Sequence, residues 1–309
     1  MDTGALLSEK LEQIAGQGNV LENEPMSRHC TFRAGGAARY LVTVDDEESL
    51  IALMSLLEKE EQPWFLLGNG SNLLVSDSGY DGIMIRLGKG FEQISVRDNV
   101  ISAGSAAPLS RIAAFAAEHS LSGMEFASGI PGSLGGALSM NAGAYGGEMK
   151  DIVSRADIYF LGSGRESLDN EMMGFGYRSS VLKQRCGVAI GAEMTLTYGE
   201  KEQILAKSAE LNRQRREKQP LEYPSAGSTF KRPEGNYAGK LIADSGCKGM
   251  SIGGACVSEK HAGFVINKGN ASASDIYSLM RRVQEMVRQN FDVMLEPEVI
   301  LLGAFEENE

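Results

Sequence analysis

Between Gly123 and Gly147 this 309-residue chain places eight glycines, at 123, 129, 132, 135, 136, 143, 146 and 147. Glycine loses the most backbone entropy on ordering and brings no side chain to pack, so this density suits neither a continuous helix nor a continuous strand. It is backbone built for close approach. Two clusters stand out, Ser128-Gly129-Ile130-Pro131-Gly132-Ser133-Leu134-Gly135-Gly136-Ala137 and Asn141-Ala142-Gly143-Ala144-Tyr145-Gly146. Turns of this kind expose N–H groups to a large flat cofactor and its phosphates. A run of structural turns would use the same glycines, but Ile130, Pro131 and Leu134 are an odd choice for one. The expected cofactor contacts are Gly129, Pro131, Gly132, Ser133, Gly135, Gly136, Asn141, Gly143 and Ala144.

An earlier glycine turn, Gly68-Asn69-Gly70-Ser71-Asn72, follows the apolar Leu66-Leu67 and adds five candidate contacts. It departs from a dinucleotide fingerprint: Leu73 occupies the third glycine position, and Leu73-Leu74-Val75 reads as extended chain rather than a helix start. A tight hairpin turn would use similar residues. Gly239-Lys240 is followed by Leu241 and lacks the spacing of a P-loop, and neither a metalloprotease nor a serine-hydrolase motif occurs. Only His29, His119 and His261 could serve as histidine bases.

Hydrophobic periodicity organises the rest. Arg39–Val44 and Trp64–Leu67 read as strands around a helix capped by Asp45 or Asp46, with Leu50, Leu53, Met54 and Leu57 on one face. Strands are expected at Gly82–Leu87, Ile94–Arg97, Val100–Ala103, Ile152–Phe160, Gly187–Leu196, Phe264–Asn267 and Val299–Leu302. Helices are expected at Pro108–His119, with proline in the first turn, at Lys201–Lys218, and at Ser274–Phe291. Strands and helices without a long βα alternation indicate an α+β architecture.

Composition narrows the partners. A net charge of −11 argues against broad contact with nucleic acid or an acidic membrane, which needs a positive surface. Between Pro220 and Lys268, however, six basic residues face four acidic ones, room for a local anion site. Cys30, Cys186, Cys247 and Cys256 form no CxxC pair and read as reduced thiols, with no metal site. No segment resembles a signal peptide or a membrane span, so a cytoplasmic location is expected.

Six segments, in order and over nearly the whole chain, resemble the UDP-N-acetylenolpyruvoylglucosamine reductases (MurB) of peptidoglycan synthesis. They are Gly68–Asn72, Gly129–Gly146, Phe175-Gly176-Tyr177-Arg178-Ser179-Ser180, Ala226-Gly227-Ser228-Thr229-Phe230-Lys231, Lys248-Gly249-Met250 and Leu295-Glu296-Pro297-Glu298-Val299. The resemblance implies a two-domain FAD-binding fold of the vanillyl-alcohol-oxidase (PCMH) type plus a third, substrate-binding α+β domain. The expected boundaries are residues 1–80 with 296–309 returning to them, 81–219, and 220–295. It also implies non-covalent FAD, NADPH as reductant, a monomer, and a UDP-sugar enolpyruvate as small-molecule substrate.

By motif, the implied catalytic residues are Arg178, Ser228 and Glu298, with Tyr177, Lys218, Arg232, Lys248 and His261 at substrate positions. Arg232 stands where some relatives have asparagine. The connection from Arg178 to Gly191 is too short for an inserted capping loop with its tyrosine, which resembles the family's shorter, second type. Without the resemblance, Ser228 would read as a turn cap, Glu298 as a solvated acid and Arg178 as a surface ion-pair partner. A flavoprotein oxidase of the same fold is the rival reading, and would often carry flavin covalently on His or Cys; His29-Cys30 is the adjacent pair available.

Overall fold

A computed structural model describes residues 3–305. Its α-helices are α1 (Thr3–Ala15), α2 (Glu47–Lys59), α3 (Leu109–Glu118), α4 (Leu134–Met140), α5 (Lys201–Lys218), α6 (Ala238–Asp244) and α7 (Ala273–Phe291). Strands Val20–Pro25, Ala37–Val44, Tyr80–Leu87 and Trp64–Leu67 form one sheet in that order. The chain divides into two compact units. One comprises the chain up to Leu21, Leu41–Asn69 and Ile83–Arg215; the other comprises Glu22–Tyr40, Gly70–Gly82 and the chain from Arg216.

In the first unit, α2 begins as its sequence dictates: Asp46 accepts the Ser49 N–H at 2.7 Å, and Leu50, Leu53, Met54 and Leu57 are buried. Trp64–Leu67 runs parallel to the strand ending at Leu87, pairing Trp64 with Ile83 and Leu67 with Arg86. The larger element is a five-stranded antiparallel sheet in the order Gly164–Asp169, Val153–Phe160, Gly187–Thr195, Val100–Gly104, Ile94–Arg97. Its core face, with Ile101, Ile158, Phe160 and Met194, shares one cluster with Ile112 and Ala116 of α3 and with Leu134 and Leu138 of α4. Each large apolar side chain so buried contributes about 1.5–3 kcal/mol.

In the second unit, Leu73–Val75 is extended, as expected, and pairs in parallel with Ile300–Leu302. A three-stranded antiparallel sheet (Ser251–Ile252, Ala255–Val257, Val265–Asn267) carries α7, whose Ile276, Leu279, Met280, Val283 and Val287 are fully or nearly buried. The start of α7 is heavily capped. Ser272 and Asp275 form a reciprocal capping box, and the Asp77 carboxylate accepts the N–H groups of Ala273 and Ser274, both at 2.8 Å. Burial would raise the Asp77 pKa, but a hydrogen bond from the Ser274 side chain, together with these two backbone bonds, outweighs it and holds the carboxyl below its usual range.

The periodic segments fall close to the expected residues, and α5 has the expected bounds. The glycine-dense segment differs from expectation. It contains a short helix, α4, that includes Gly135 and Gly136, because Leu134, Ala137 and Leu138 supply an apolar face to the core. Pro108 is the N-cap of α3 rather than a first-turn residue, with extended backbone at φ −63°, ψ 134°. The sequence reading also passed over α1, α6 and the edge strand Gly164–Asp169.

Candidate active site

The two glycine segments meet within the first unit. A side chain at Gly68 would bring a Cβ within 2.9 Å of Ser133 Oγ, and the Asn69 amide reaches the Pro131 carbonyl at 3.5 Å. The first N–H groups of α4 are already engaged: Leu134 donates to Ala107 and Gly135 to Ser105. Beside them the buried Ser105 hydroxyl has no hydrogen-bond partner among the described residues. Gly143–Ala144 pairs with Gly147–Glu148 around a two-residue turn at Tyr145-Gly146, both at positive φ (53° and 87°).

Asn141, one of the expected cofactor contacts, braces the backbone around it. In the left-handed region at φ 42° it ends α4, donates to Glu148 (2.6 Å) and the Gly176 carbonyl (3.1 Å), and accepts from Lys150 N–H. The bond to Gly176 anchors the turn that carries Arg178. Gly176 and Ser179 exchange backbone hydrogen bonds, and Ser180 Oγ donates to the Ser139 carbonyl. Arg178 itself has φ 53°, a conformation that costs an L-residue about 1–2 kcal/mol. After the turn, Ser180 caps a single helical turn, Val181–Lys183, and the next strand begins at Gly187.

Ser228 and Glu298 lie in the second unit, brought together by a short ladder. Glu298 N–H donates to the Thr229 carbonyl (2.8 Å), Lys231 N–H to the Glu296 carbonyl (2.8 Å), and Phe230 bridges Pro297. Asn72 grips the same strand from the other side, donating its amide to the Glu298 carbonyl at 3.0 Å. Thr229 N–H donates to the Gly263 carbonyl, tying in the loop of His261, whose Nδ1 accepts the Gly263 N–H at 3.1 Å. Burial first, and the Lys248 charge second, push His261 below the ordinary imidazole range, so it is neutral at pH 7.

The remaining candidates are more open. Arg232 stacks over the exposed Tyr237 ring at 4.0 Å, Tyr177 is 58% exposed beneath the Arg178 guanidinium, and Lys218 and Lys248 are exposed. The basic excess of this region is reduced by pairing: Lys231 with Glu296, Lys240 with Asp244, Lys260 with Glu222. Gly70 packs against the His29 carbonyl, where a Cβ would clash, and its own carbonyl accepts the Thr31 N–H. The groove on the outer face of the five-stranded sheet, lined by Gln93, Ser102, Arg155, Asp157 and Glu193, contains none of the candidates.

The His29-Cys30 pair does not favour a covalent flavin. Burial pushes the Cys30 thiol up to about 12, leaving negligible thiolate, and His29 Nε2 is held by Glu24 at 2.9 Å. Ser105 was missed in the sequence because an isolated serine between Gly104 and Ala106 carries no signal of its burial.

Residues 38–166 match the family described as FAD binding domain, and residues 219–302 match the UDP-N-acetylenolpyruvoylglucosamine reductase C-terminal domain. Glycines admitting close approach and the orphaned Ser105 hydroxyl suit a polar, phosphate-bearing cofactor. The molecule is an FAD-containing oxidoreductase. It is 48% identical to the UDP-N-acetylenolpyruvoylglucosamine reductase of Caldanaerobacter subterraneus subsp. tengcongensis, covering 96% of this chain and 98% of that protein. It is 45% identical to that of Geobacillus thermodenitrificans, over 98% and 99% of the two chains. The crystal structure of the Thermus caldophilus enzyme superposes with a TM-score of 0.79 at 36% identity, covering 92% of this chain and 98% of that one. The chain belongs to the UDP-N-acetylenolpyruvoylglucosamine reductase (MurB) family.

Proposed function

We infer that this enzyme reduces UDP-N-acetylglucosamine enolpyruvate to UDP-N-acetylmuramate in peptidoglycan precursor synthesis, with NADPH as the source of hydride. The observation that carries the reading is the backbone ladder that bonds Glu298 N–H to the carbonyl of Thr229, the residue after Ser228, in a chain 48% identical to a reductase of that name. Arg178, the third motif residue, is kept at a backbone cost.

FAD, when bound, supplies the two-electron chemistry that delivers hydride to the terminal carbon of the enolpyruvyl group. Negative charge then builds in the adjoining carboxylate. Arg178 offers that carboxylate a planar two-pronged cation, and Glu298 in its acid form donates a hydrogen bond to the same charge. The Ser228 hydroxyl gives its proton to the second carbon, completing addition of hydride and proton across the double bond. Serine is a weak acid, so this step depends on a strongly basic carbanion or a proton relay.

Lys218 and Lys248 meet the diphosphate, while Tyr177, Arg232 and the neutral His261 contribute polar and stacking contacts. Gly68, Asn69, Gly70, Ser71, Asn72, Gly129, Pro131, Gly132, Ser133, Gly135, Gly136, Asn141, Gly143 and Ala144 line the FAD site. The domain division at residues 80, 219 and 295, the shorter second type, a monomeric state and a cytoplasmic location complete the reading. Among the described residues no helix is long and apolar enough to cross a membrane.

Anaerobic titration tests it. NADPH should bleach the flavin's visible band, and UDP-N-acetylglucosamine enolpyruvate should restore it. Reduced flavin that the substrate leaves unchanged would refute the assignment.

A further inference from the structure

Arg215, near the C-terminal end of α5, is half-buried in the first unit and has no role in the mechanism above. Its guanidinium forms no hydrogen bond or ion pair among the described residues. Its surroundings are specific. A Cβ at Gly129 would lie 3.2 Å from Arg215 Cδ and 3.4 Å from its Nη1, so the glycine is what lets this side chain lie against the backbone. One turn earlier on the same helix face, Asn212 would also meet that Cβ, and its amide donates to Ser128 Oγ at 3.2 Å, pinning α5 to the segment. The electrostatic neighbour is the Tyr145 phenol, on the left-handed turn of the glycine hairpin.

A guanidinium taken partly out of water without a carboxylate is costly, and burial here pulls its pKa down. The C-terminal end of α5 favours a cation but offsets only part of that cost. Such a charge is retained where an anion arrives to meet it. The segment it lies against belongs to the unit containing most of the FAD-binding match, residues 38–166.

We propose that Arg215 is a cofactor-binding residue: its guanidinium is the counter-charge to an anionic group of bound FAD. The proposal rests on the flavin reading above. Two groups of FAD carry the required charge, the diphosphate at all times and the ring after two-electron reduction, and they respond differently to loss of the cation.

The test compares wild type with Arg215→Met and Arg215→Lys, each checked by circular dichroism for a native fold. The dissociation constant of oxidised FAD is measured by reconstituting apoprotein, and the midpoint potential by equilibration with a reference dye. If the diphosphate is the partner, R215M weakens oxidised FAD at least tenfold with the potential unchanged. If the reduced ring is, oxidised FAD binds as before but the reduced form loses at least tenfold in relative affinity, which lowers the potential by about 30 mV for a two-electron couple. R215K should recover part of either effect. Wild-type apoprotein that takes up no FAD would refute the flavin reading and this proposal together. Wild type that binds FAD, beside an R215M unchanged in both quantities or altered only in substrate affinity, would refute this proposal alone. If R215M does not fold, an R215K indistinguishable from wild type in both quantities also overturns it.

Discussion

The side-chain amide of Asn72 donates to the backbone carbonyl of Glu298 at 3.0 Å, across 226 residues of sequence. With the Glu298 N–H bound to the Thr229 carbonyl, the main chain of Glu298 is held on both sides. Asn72→Leu leaves that carbonyl without its partner. The expected cost is about 1–3 kcal/mol in urea unfolding. Substrate-driven reoxidation should slow more than reduction by NADPH; equal slowing of both half-reactions would remove the link from Asn72 to Glu298.

Ser228 sits one residue before the carbonyl that holds Glu298, on a backbone also fixed by the Thr229-to-Gly263 bond. Its hydroxyl can therefore be removed without disturbing the ladder. Ser228→Ala should bleach normally with NADPH and stall when substrate is added, in anaerobic stopped flow. Impaired bleaching with normal reoxidation would refute the proton-donor role.

Arg178 holds φ at 53°, so its side chain and its backbone can be separated experimentally. Arg178→Ala keeps the left-handed strain, whereas Arg178→Gly relieves it. Glycine should be the more stable of the two by about 1 kcal/mol, while both lose about 10²–10³-fold in the rate of reoxidation by substrate. Equal melting temperatures for the two variants would show that the turn is unstrained.

His261 titrates below the ordinary histidine range because it is half-buried, with the Lys248 charge adding to the shift. The unfolded chain therefore takes up this proton first as the pH falls below about 6.5. Its contribution to stability is fully present above that pH and is lost as pH falls through the lower folded value. His261→Asn, which retains an acceptor for the Gly263 N–H, should flatten the pH dependence of unfolding just below about pH 6.5. A slope identical to wild type there would contradict the shift.

Much of the chain could be read locally. The spacing of Leu50, Leu53, Met54 and Leu57 defined the buried face of α2, and the limits of α5 followed from its charged repeat and the proline beyond it. These signals are periodic over a few residues and need no knowledge of the rest of the fold. The helix inside the glycine segment was not legible, because Leu134, Ala137 and Leu138 form a face only once the sheet of the first unit supplies something to bury it against. Asp77 likewise has no local signature as a cap for α7, 196 residues away.

The glycine-dense segment from Gly123 to Gly147 shows the same division. By itself the sequence determined that its backbone would make close approaches, since no side chains stand in the way, and the ordered motifs identified the family. Only the tertiary structure decided what approaches: Ser133 against Gly68, Asn212 and Arg215 against Gly129, and the turn of Arg178 tied to Asn141. It also decided that Arg215, one of four arginines and lysines in Arg213-Gln214-Arg215-Arg216-Glu217-Lys218, is the half-buried member with no acid beside it. Burial and charge pairing depend on neighbours distant in sequence, and composition reports neither.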